Sequence, residues 1–366
     1  MKIGITLNLA HSFWSNGLNQ NVKFIYEIFK RLGHDVFYIT NNTPYKGFNF
    51  SHKFCYLNDL IQDKKHYFDV VITAGYEISK SFIIDLKNRN SQCKVFSLQL
   101  GNKLMFDMRD LLHNTSDSKF IFNPLDTGEY LSGILISPHH QFGAEYLKVI
   151  YGNENVKVAP YVWDPFFIQD KIEDLKKRNL NPFFDPNKIN KVQIFESNTL
   201  INKNSTIPIL IAEKAHQMFP ESLSGVNVFC CEKLRDNEFF KSYMARLSIV
   251  KKPNFTFFNN RWCSLDAFSK FGGVTVSHQY DNDLNYAHFE ALYMGLPLVH
   301  NSKTLMDEGY YYPDFNVDMG AKQLQNAILN HKDVHDDYMR RGREFVAKYS
   351  PHNQSILNKY QELLDQ

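Results

Sequence analysis

Hydrophobic residues in this chain gather in short β-branched and aromatic runs, with stretches of helical spacing between them. "KIGITLNL", residues 2–9, is the first run, and the polar loop "AHSFWSNGLNQN" separates it from an amphipathic stretch over 20–32. Gly33-His34 ends that stretch, and "DVFYIT" is the next strand. This strand–loop–helix–strand order opens a parallel α/β sheet. It continues through "FDVVITAG" (68–75), a helix over 77–88, "CKVFSLQLG" (93–101), a strand at 133–137, a helix over 141–151 and a strand at 156–160. Nearly continuous apolar strands alternating with helices predict a sheet covered on both faces.

The charged, Asn- and Pro-rich stretch "QDKIEDLKKRNLNPFFDPNKINK" then reads as a linker with one short helix. The alternation restarts with "KVQIFES" (191–197), a helix over 206–218, and strands "VNVFCC" (226–231), "FTFFNN" (255–260) and "GGVTVSHQ" (272–279). A helix through "NYAHFEALYMG" leads to the apolar "LPLVHNS". Three helices finish the chain, in "GAKQLQNAILNH", over 335–348 and over 353–365. The expected division is a Rossmann-like first lobe at 1–165, a linker at 166–190, a Rossmann-like second lobe at 191–345 and a helical tail at 346–366. The fold class is α/β, with two lobes facing a cleft.

A length of 366 residues leaves room for two domains, and 31 Phe with 20 Tyr predict cores dominated by aromatic rings. Lys and Arg total 41 against 39 Asp and Glu, a net charge of +2. That balance lacks the general basic excess of a protein held to nucleic acid by phosphate neutralisation, yet leaves room for a local patch. The five cysteines (Cys55, Cys93, Cys230, Cys231, Cys263) are odd in number and form no C-x-x-C, which suits reduced thiols in a cytoplasmic protein. The first apolar run is too short for a signal peptide, and no run reaches the roughly 18 apolar residues of a membrane span.

In open α/β sheets ligands sit beyond the carboxyl ends of the strands, where helix N-termini favour anions. Four stretches occupy such positions. In "SFWSNGLNQN", Gly17 permits close backbone approach to a phosphate or sugar, with Trp14, Ser15 and Asn16 beside it; an ordinary polar turn is the alternative. In "FESNTLINKNSTIP", Lys203 and Asn198 could hold a diphosphate as point charge and amide donor, or belong to a solvated loop. In "VSHQYDNDLNYAHFEAL", a strand ends at Ser277-His278 and Asn285 suits the N-cap of a helix that begins at Tyr286. Glu290, about one and a half turns further, could accept from two vicinal hydroxyls. A structural ion pair is the weaker alternative, because no Lys or Arg follows it at i+4. In "SPHHQF", His140 could act as a general acid or base, with Asp107 of "LQLGNKLMFDM" as a base or acceptor ligand.

Together these stretches resemble the GT-B glycosyltransferases. "KVAPYVWDPF" is similar to the strand and turn that close the first lobe in that superfamily, and "FEALYMGLPLVHNS" to its E-A-x-A-x-G-x-P-V-V donor motif. The resemblance implies that Glu290 binds the donor ribose. Many retaining members carry a second glutamate eight positions earlier, where this chain has Asn282 between Asp281 and Asp283. "SFWSNGLNQN", "PYVWDPF", "VSHQYDNDLNYAHFEALYMGLPLVHNS" and "GYYYPDFN" further resemble a family of bacterial and phage proteins assigned to GT-B, over nearly the whole chain. Transfer of arabinose to 5-hydroxymethylcytosine in phage DNA is ascribed to some of its phage members.

The resemblance implies a nucleotide-sugar donor, UDP-linked for preference, held mainly by the second lobe. Glu290, Asn285, Tyr286, Lys203, Asn198 and His278 would serve it, and Arg261 and Trp262 would meet the base. The acceptor side would use Trp14, Ser15, Asn16 and Gly17, with Asp107 and His140 as the catalytic pair. The acceptor would be hydroxymethylated DNA or otherwise a glycan. No cofactor, no essential metal and no membrane span are expected, and the location would be the cytoplasm (the host's, for a phage protein). A sugar-nucleotide epimerase, a reductase and a non-catalytic nucleotide-sugar binder are the competing classes. The missing G-x-G-x-x-G weighs against a dinucleotide cofactor.

Overall fold

The computed structural model describes residues 1–10, 13, 17–45, 52–113 and 125–365. They divide into two units, Met1–Asp164 with Tyr349–Gln366, and Pro165–Lys348.

The first unit is built on seven parallel strands: β1 (Lys2–Thr6), β2 (Asp35–Thr40), β3 (Phe54–Tyr56), β4 (Val70–Thr73), β5 (Lys94–Gln99), β6 (Gly133–Ile136) and β7 (Val156–Val158). Their order is β3-β2-β1-β4-β5-β6-β7, so the winding reverses between β1 and β4. Every residue of β4 and β6 is buried, as strands covered on both faces require. The helix Gln354–Asp365 also belongs here. Its Tyr360 packs edge-on against Phe29 (5.8 Å between ring centres) and donates to the Pro160 carbonyl at 2.9 Å. Lys94 Nζ donates to the Leu364 carbonyl at 2.7 Å. Where the chain rejoins this unit, the Trp163 N–H donates to the Tyr349 carbonyl at 2.9 Å.

The second unit carries six parallel strands: β8 (Lys191–Ile194), β9 (Gly225–Val228), β10 (Thr256–Phe258), β11 (Val274–Val276), β12 (Leu298–His300) and β13 (Tyr310–Tyr311). The order β10-β9-β8-β11-β12-β13 reverses between β8 and β11, which leaves a crevice at their carboxyl ends. Val192, Ile194, Val226, Val228, Val274 and Val276 are fully buried and form the middle of its core. Gly272-Gly273 turns the chain into β11. Gly273 sits at φ +102°, and a Cβ there would lie 2.4 Å from the Lys191 carbonyl oxygen.

The stretch expected as a linker with one short helix holds the 12-residue helix Phe166–Lys177, part of the second unit. Where two helices were expected after "GYYYPDF", a single 31-residue helix runs from Val317 to Ala347. Its inward seam passes through the buried Leu324, Ala327, His331, Gly342 and Phe345, with the half-buried His335 and Tyr338 between 331 and 342 completing a repeat of three and four residues. All five cysteines are unpaired thiols, with Cys93 and Cys231 buried. Among the described residues no helix is long and apolar enough to cross a membrane.

Candidate functional site

In the second unit the chemistry-bearing side chains collect at the reversal point between β8 and β11. The helix Tyr286–Tyr293 starts there. Asn285 is extended (φ −136°, ψ 131°) and its Oδ1 accepts from the Ala287 N–H at 3.1 Å, so it is the N-cap that its position suggested. The positive end of this helix dipole therefore faces the strand ends. Glu290 is half-buried on the helix, and its Oε2 accepts from Ser264 Oγ at 2.7 Å. Burial raises its carboxyl to about 7, and the Ser264 bond opposes that rise only in part. Among the described residues no cation lies within 4.0 Å of it, so the ion-pair alternative finds no support.

Ser264 opens the helix Ser264–Phe271, separated from Arg261 and Trp262 by the N-cap Cys263. Arg261 is exposed, and its backbone N–H is bonded to Glu232 Oε1. The Trp262 ring lies 5.9 Å from Phe229 and has Lys270 Nζ over it at 5.2 Å. A hollow of about 600 Å³ opens beside them, lined by Arg178, Leu180, Arg261, Trp262, Asp266 and Lys270. Ser264 thus couples the ribose candidate Glu290 to the two base candidates, a link the sequence did not reveal.

Lys203 and Asn198 lie on the loop after β8. Asn198 is held in the left-handed region (φ 54°), which Asn tolerates. Its Nδ2 donates to the carbonyls of Glu196 (3.1 Å) and Cys230 (3.2 Å), and its Oδ1 accepts from Ser205 N–H (2.9 Å) and Oγ (2.8 Å). Asn198 thus spends its amide tying the β8 and β9 loops to the next helix and positions the site from within. Lys203 is half-buried, and burial lowers its pKa while the nearby Glu196 opposes that. Its Nζ makes no ion pair within 4.0 Å among the described residues, which leaves the cation available to an anionic ligand. The Tyr280 N–H donates to the Asn202 carbonyl at 3.1 Å and so joins this loop to the one after β11.

His278 is buried, with Nδ1 2.9 Å from the Tyr312 hydroxyl, which itself donates to the Ser277 carbonyl at 3.0 Å. The tyrosine proton is thereby committed, so His278 donates from Nδ1. Burial lowers its pKa to about 4, and the ring is neutral at pH 7. Asn282 is buried and donates to Gln279 Oε1 at 2.7 Å. Sequence reasoning passed over Glu196, which closes this network, although an acid directly after an apolar strand was its signal.

In the first unit Gly17 is exposed and begins the helix Gly17–Arg31. Trp14, Ser15 and Asn16 lie outside the described residues. Asp107 is on the helix Lys103–His113 after β5. Lys103 Nζ lies 2.5 and 2.6 Å from its two oxygens, and Tyr146 donates to Oδ2 at 2.7 Å. Both oxygens are already accepting hydrogen bonds, the setting of a structural carboxylate rather than a free base. His140 is buried in the tight turn Pro138–Gly143 after β6, its ring centre 4.0 Å from that of His139. A further carboxylate, Glu77, follows β4 and accepts from Thr73 Oγ1 (2.7 Å), Ser97 Oγ (2.8 Å) and Gln99 Nε2 (3.3 Å). Burial raises its pKa. Among the described residues no three His, Cys, Asp or Glu side chains come together as a metal site.

Two parallel α/β units, each with polar residues gathered at the carboxyl edge of its sheet, define a GT-B fold. Solved structures with that fold match the full length of the chain. Sucrose-phosphate synthase from Thermosynechococcus elongatus has 11% identity and a TM-score of 0.59, with 100% of this chain and 98% of that one covered. HepE from Anabaena, solved with UDP-glucose, has 10% identity and a TM-score of 0.57, covering 100% and 99%. TarM from S. aureus, in a complex that includes UDP, has 14% identity and a TM-score of 0.51. That match covers 81% of this chain and 55% of the TarM chain, so this chain spans about half of its length. By sequence, the chain belongs to the family described as "Protein of unknown function (DUF2827)", whose model matches residues 3–364. Among curated proteins none matches it.

Proposed function

We propose that this protein is a glycosyltransferase, moving a sugar from a nucleotide-sugar donor of the UDP class to an acceptor hydroxyl. One observation carries the reading. Among the described residues Lys203 makes no ion pair within 4.0 Å and the half-buried carboxylate of Glu290 has no cation beside it, and the two stand on elements that meet at the reversal point of the second sheet. The first suits a diphosphate and the second the two ribose hydroxyls, with the N-terminus of the 286–293 helix to stabilise the leaving diphosphate. HepE and TarM, which share the fold, were solved with UDP-glucose and UDP. For the acceptor and sugar, the quoted motifs favour 5-hydroxymethylcytosine in DNA and arabinose.

Nucleoside diphosphates are therefore expected to raise the melting temperature, UDP most. Lys203→Met should weaken UDP binding about 10- to 100-fold, the range for losing a charged hydrogen-bond donor. The donor should then add one sugar mass to hydroxymethylcytosine DNA, with glycans as the comparison acceptor, and turnover should survive EDTA. Donor consumption without an acceptor would indicate an epimerase, and binding without transfer a nucleotide-sugar receptor. Failure of every nucleotide to bind would sink the reading.

A further inference from the structure

The carboxylate of Glu196 plays no part in the donor reading, yet it is the hub of the polar network at the reversal point. Its Oε1 accepts from Ser277 Oγ (2.5 Å) and the His278 backbone N–H (3.2 Å), and its Oε2 accepts from Gln279 Nε2 (2.6 Å). Ser277 Oγ lies 2.8 Å from Nε2 of the fully buried His288. Because Ser277 gives its single proton to the carboxylate, His288 is the donor in that contact. Gln279 passes the connection on to Asn282. One buried carboxylate thus grips the loop between β11 and the 286–293 helix at three consecutive residues and, through Gln279, at a fourth.

The groups around it leave one candidate to balance its charge. His278 and His288 are neutral, both pushed down by burial, while Cys230 and Tyr312 are neutral because burial pushes them up. The cation that supports the carboxylate is Lys203, on the loop after β8. Lys203 is also the group that a diphosphate would claim. Two anions facing one ammonium in a low-dielectric crevice repel strongly, and the one able to take a proton gives way. We infer that Glu196 is the positioning residue of the donor site, holding the 277–282 loop beside Lys203, and that it takes up a proton from solvent when the diphosphate binds. The inference rests on the donor reading above. Burial already raises the carboxyl to about 7, against which the Ser277 bond, Lys203 and Gln279 work, so it is ionised at pH 8 and within reach of protonation.

Calorimetric titration of the full chain with UDP at pH 8, in two buffers of different ionisation heat, reads the protons exchanged. Wild type should take up about one proton more per UDP than Glu196→Gln, and its affinity should fall about tenfold per pH unit above 7 while that of the variant stays flat. Should Glu196→Gln fail to fold, Lys203→Met serves instead. Without the cation the Glu196 carboxyl rises further and is less ionised beforehand, so the variant's weaker binding should take up fewer protons than that of wild type. Equal proton numbers in wild type and variant, with UDP still bound, would overturn the role of Glu196 and leave the donor reading standing. If neither UDP nor another nucleoside diphosphate binds wild type, the donor reading falls and this inference with it.

Discussion

Glu290→Gln is expected to weaken nucleotide binding about 10- to 100-fold and, at pH 8, to raise the melting temperature. The two effects come from one cause. Glu290 is held in a half-buried position where, among the described residues, its hydrogen-bond partner is the Ser264 hydroxyl, and burial raises its carboxyl to about 7. In the unfolded chain the carboxyl ionises near its ordinary value of about 4.5. Between these limits the folded protein binds more protons than the unfolded one, so stability falls as pH rises through that window. Above pH 7 the full penalty is present, at most about 3.4 kcal/mol at 1.36 kcal/mol per pH unit. Glutamine keeps an oxygen for Ser264 and never ionises, so the gain should vanish near pH 4.5 and be complete by pH 8. Melting curves at several pH values check this alongside UDP titration. A variant that is destabilised at pH 8, or that binds UDP as wild type does, would show that Glu290 has another role. A stabilised variant with poor ligand affinity is the mark of a residue kept for function at the expense of the fold.

Gly273→Ala should have the opposite character, a loss of fold with no new chemistry. A Cβ at this position would sit 2.4 Å from the Lys191 carbonyl oxygen and 3.0 Å from Gln193 Nε2, at a φ of +102° that side chains rarely adopt. The obstacle is strand backbone in the middle of the sheet, which cannot move aside without parting β8 from β11. The cost is expected to exceed ~3 kcal/mol, or about 10 °C in the melting of this unit. Far-ultraviolet circular dichroism on heating would measure it, and a change under about 2 °C would contradict the argument. Ser277, His278 and Gln279 directly follow this strand, so ligand binding should disappear with the fold.

Much of this architecture could be read from the sequence because parallel strands buried on both faces leave long apolar runs. The helix Thr206–Met218 matches its expected limits, and Asn285 caps the helix where its position suggested. The short edge strands β3 and β13, of three and two residues, carry too little pattern to be recognised. The 31-residue helix was divided in expectation because "NHKDVHDD" is polar. His331 hides the continuity there. It occupies a core position by bonding the Tyr310 hydroxyl (3.0 Å) and the Gly295 carbonyl (3.0 Å), which no local pattern reveals. The site divided in the same way. Glu290 and Lys203 stood out through local motifs, whereas Glu196 gains its meaning from partners 81 to 83 residues away.

The contact between Trp163 and Tyr349 bears on the order in which the chain matures on the ribosome. Residues 165–348 form a contiguous unit, so they can complete their core while the first unit still lacks its closing helix. Tyr360, buried against Phe29 and bonded to Pro160, and the Leu364 carbonyl that receives Lys94 are both synthesised afterwards. Domains generally fold as units and N-terminal first during synthesis, whereas here the unit that begins the chain lacks a helix until the end of synthesis. The half that begins translation is thus the last whose parts are all synthesised.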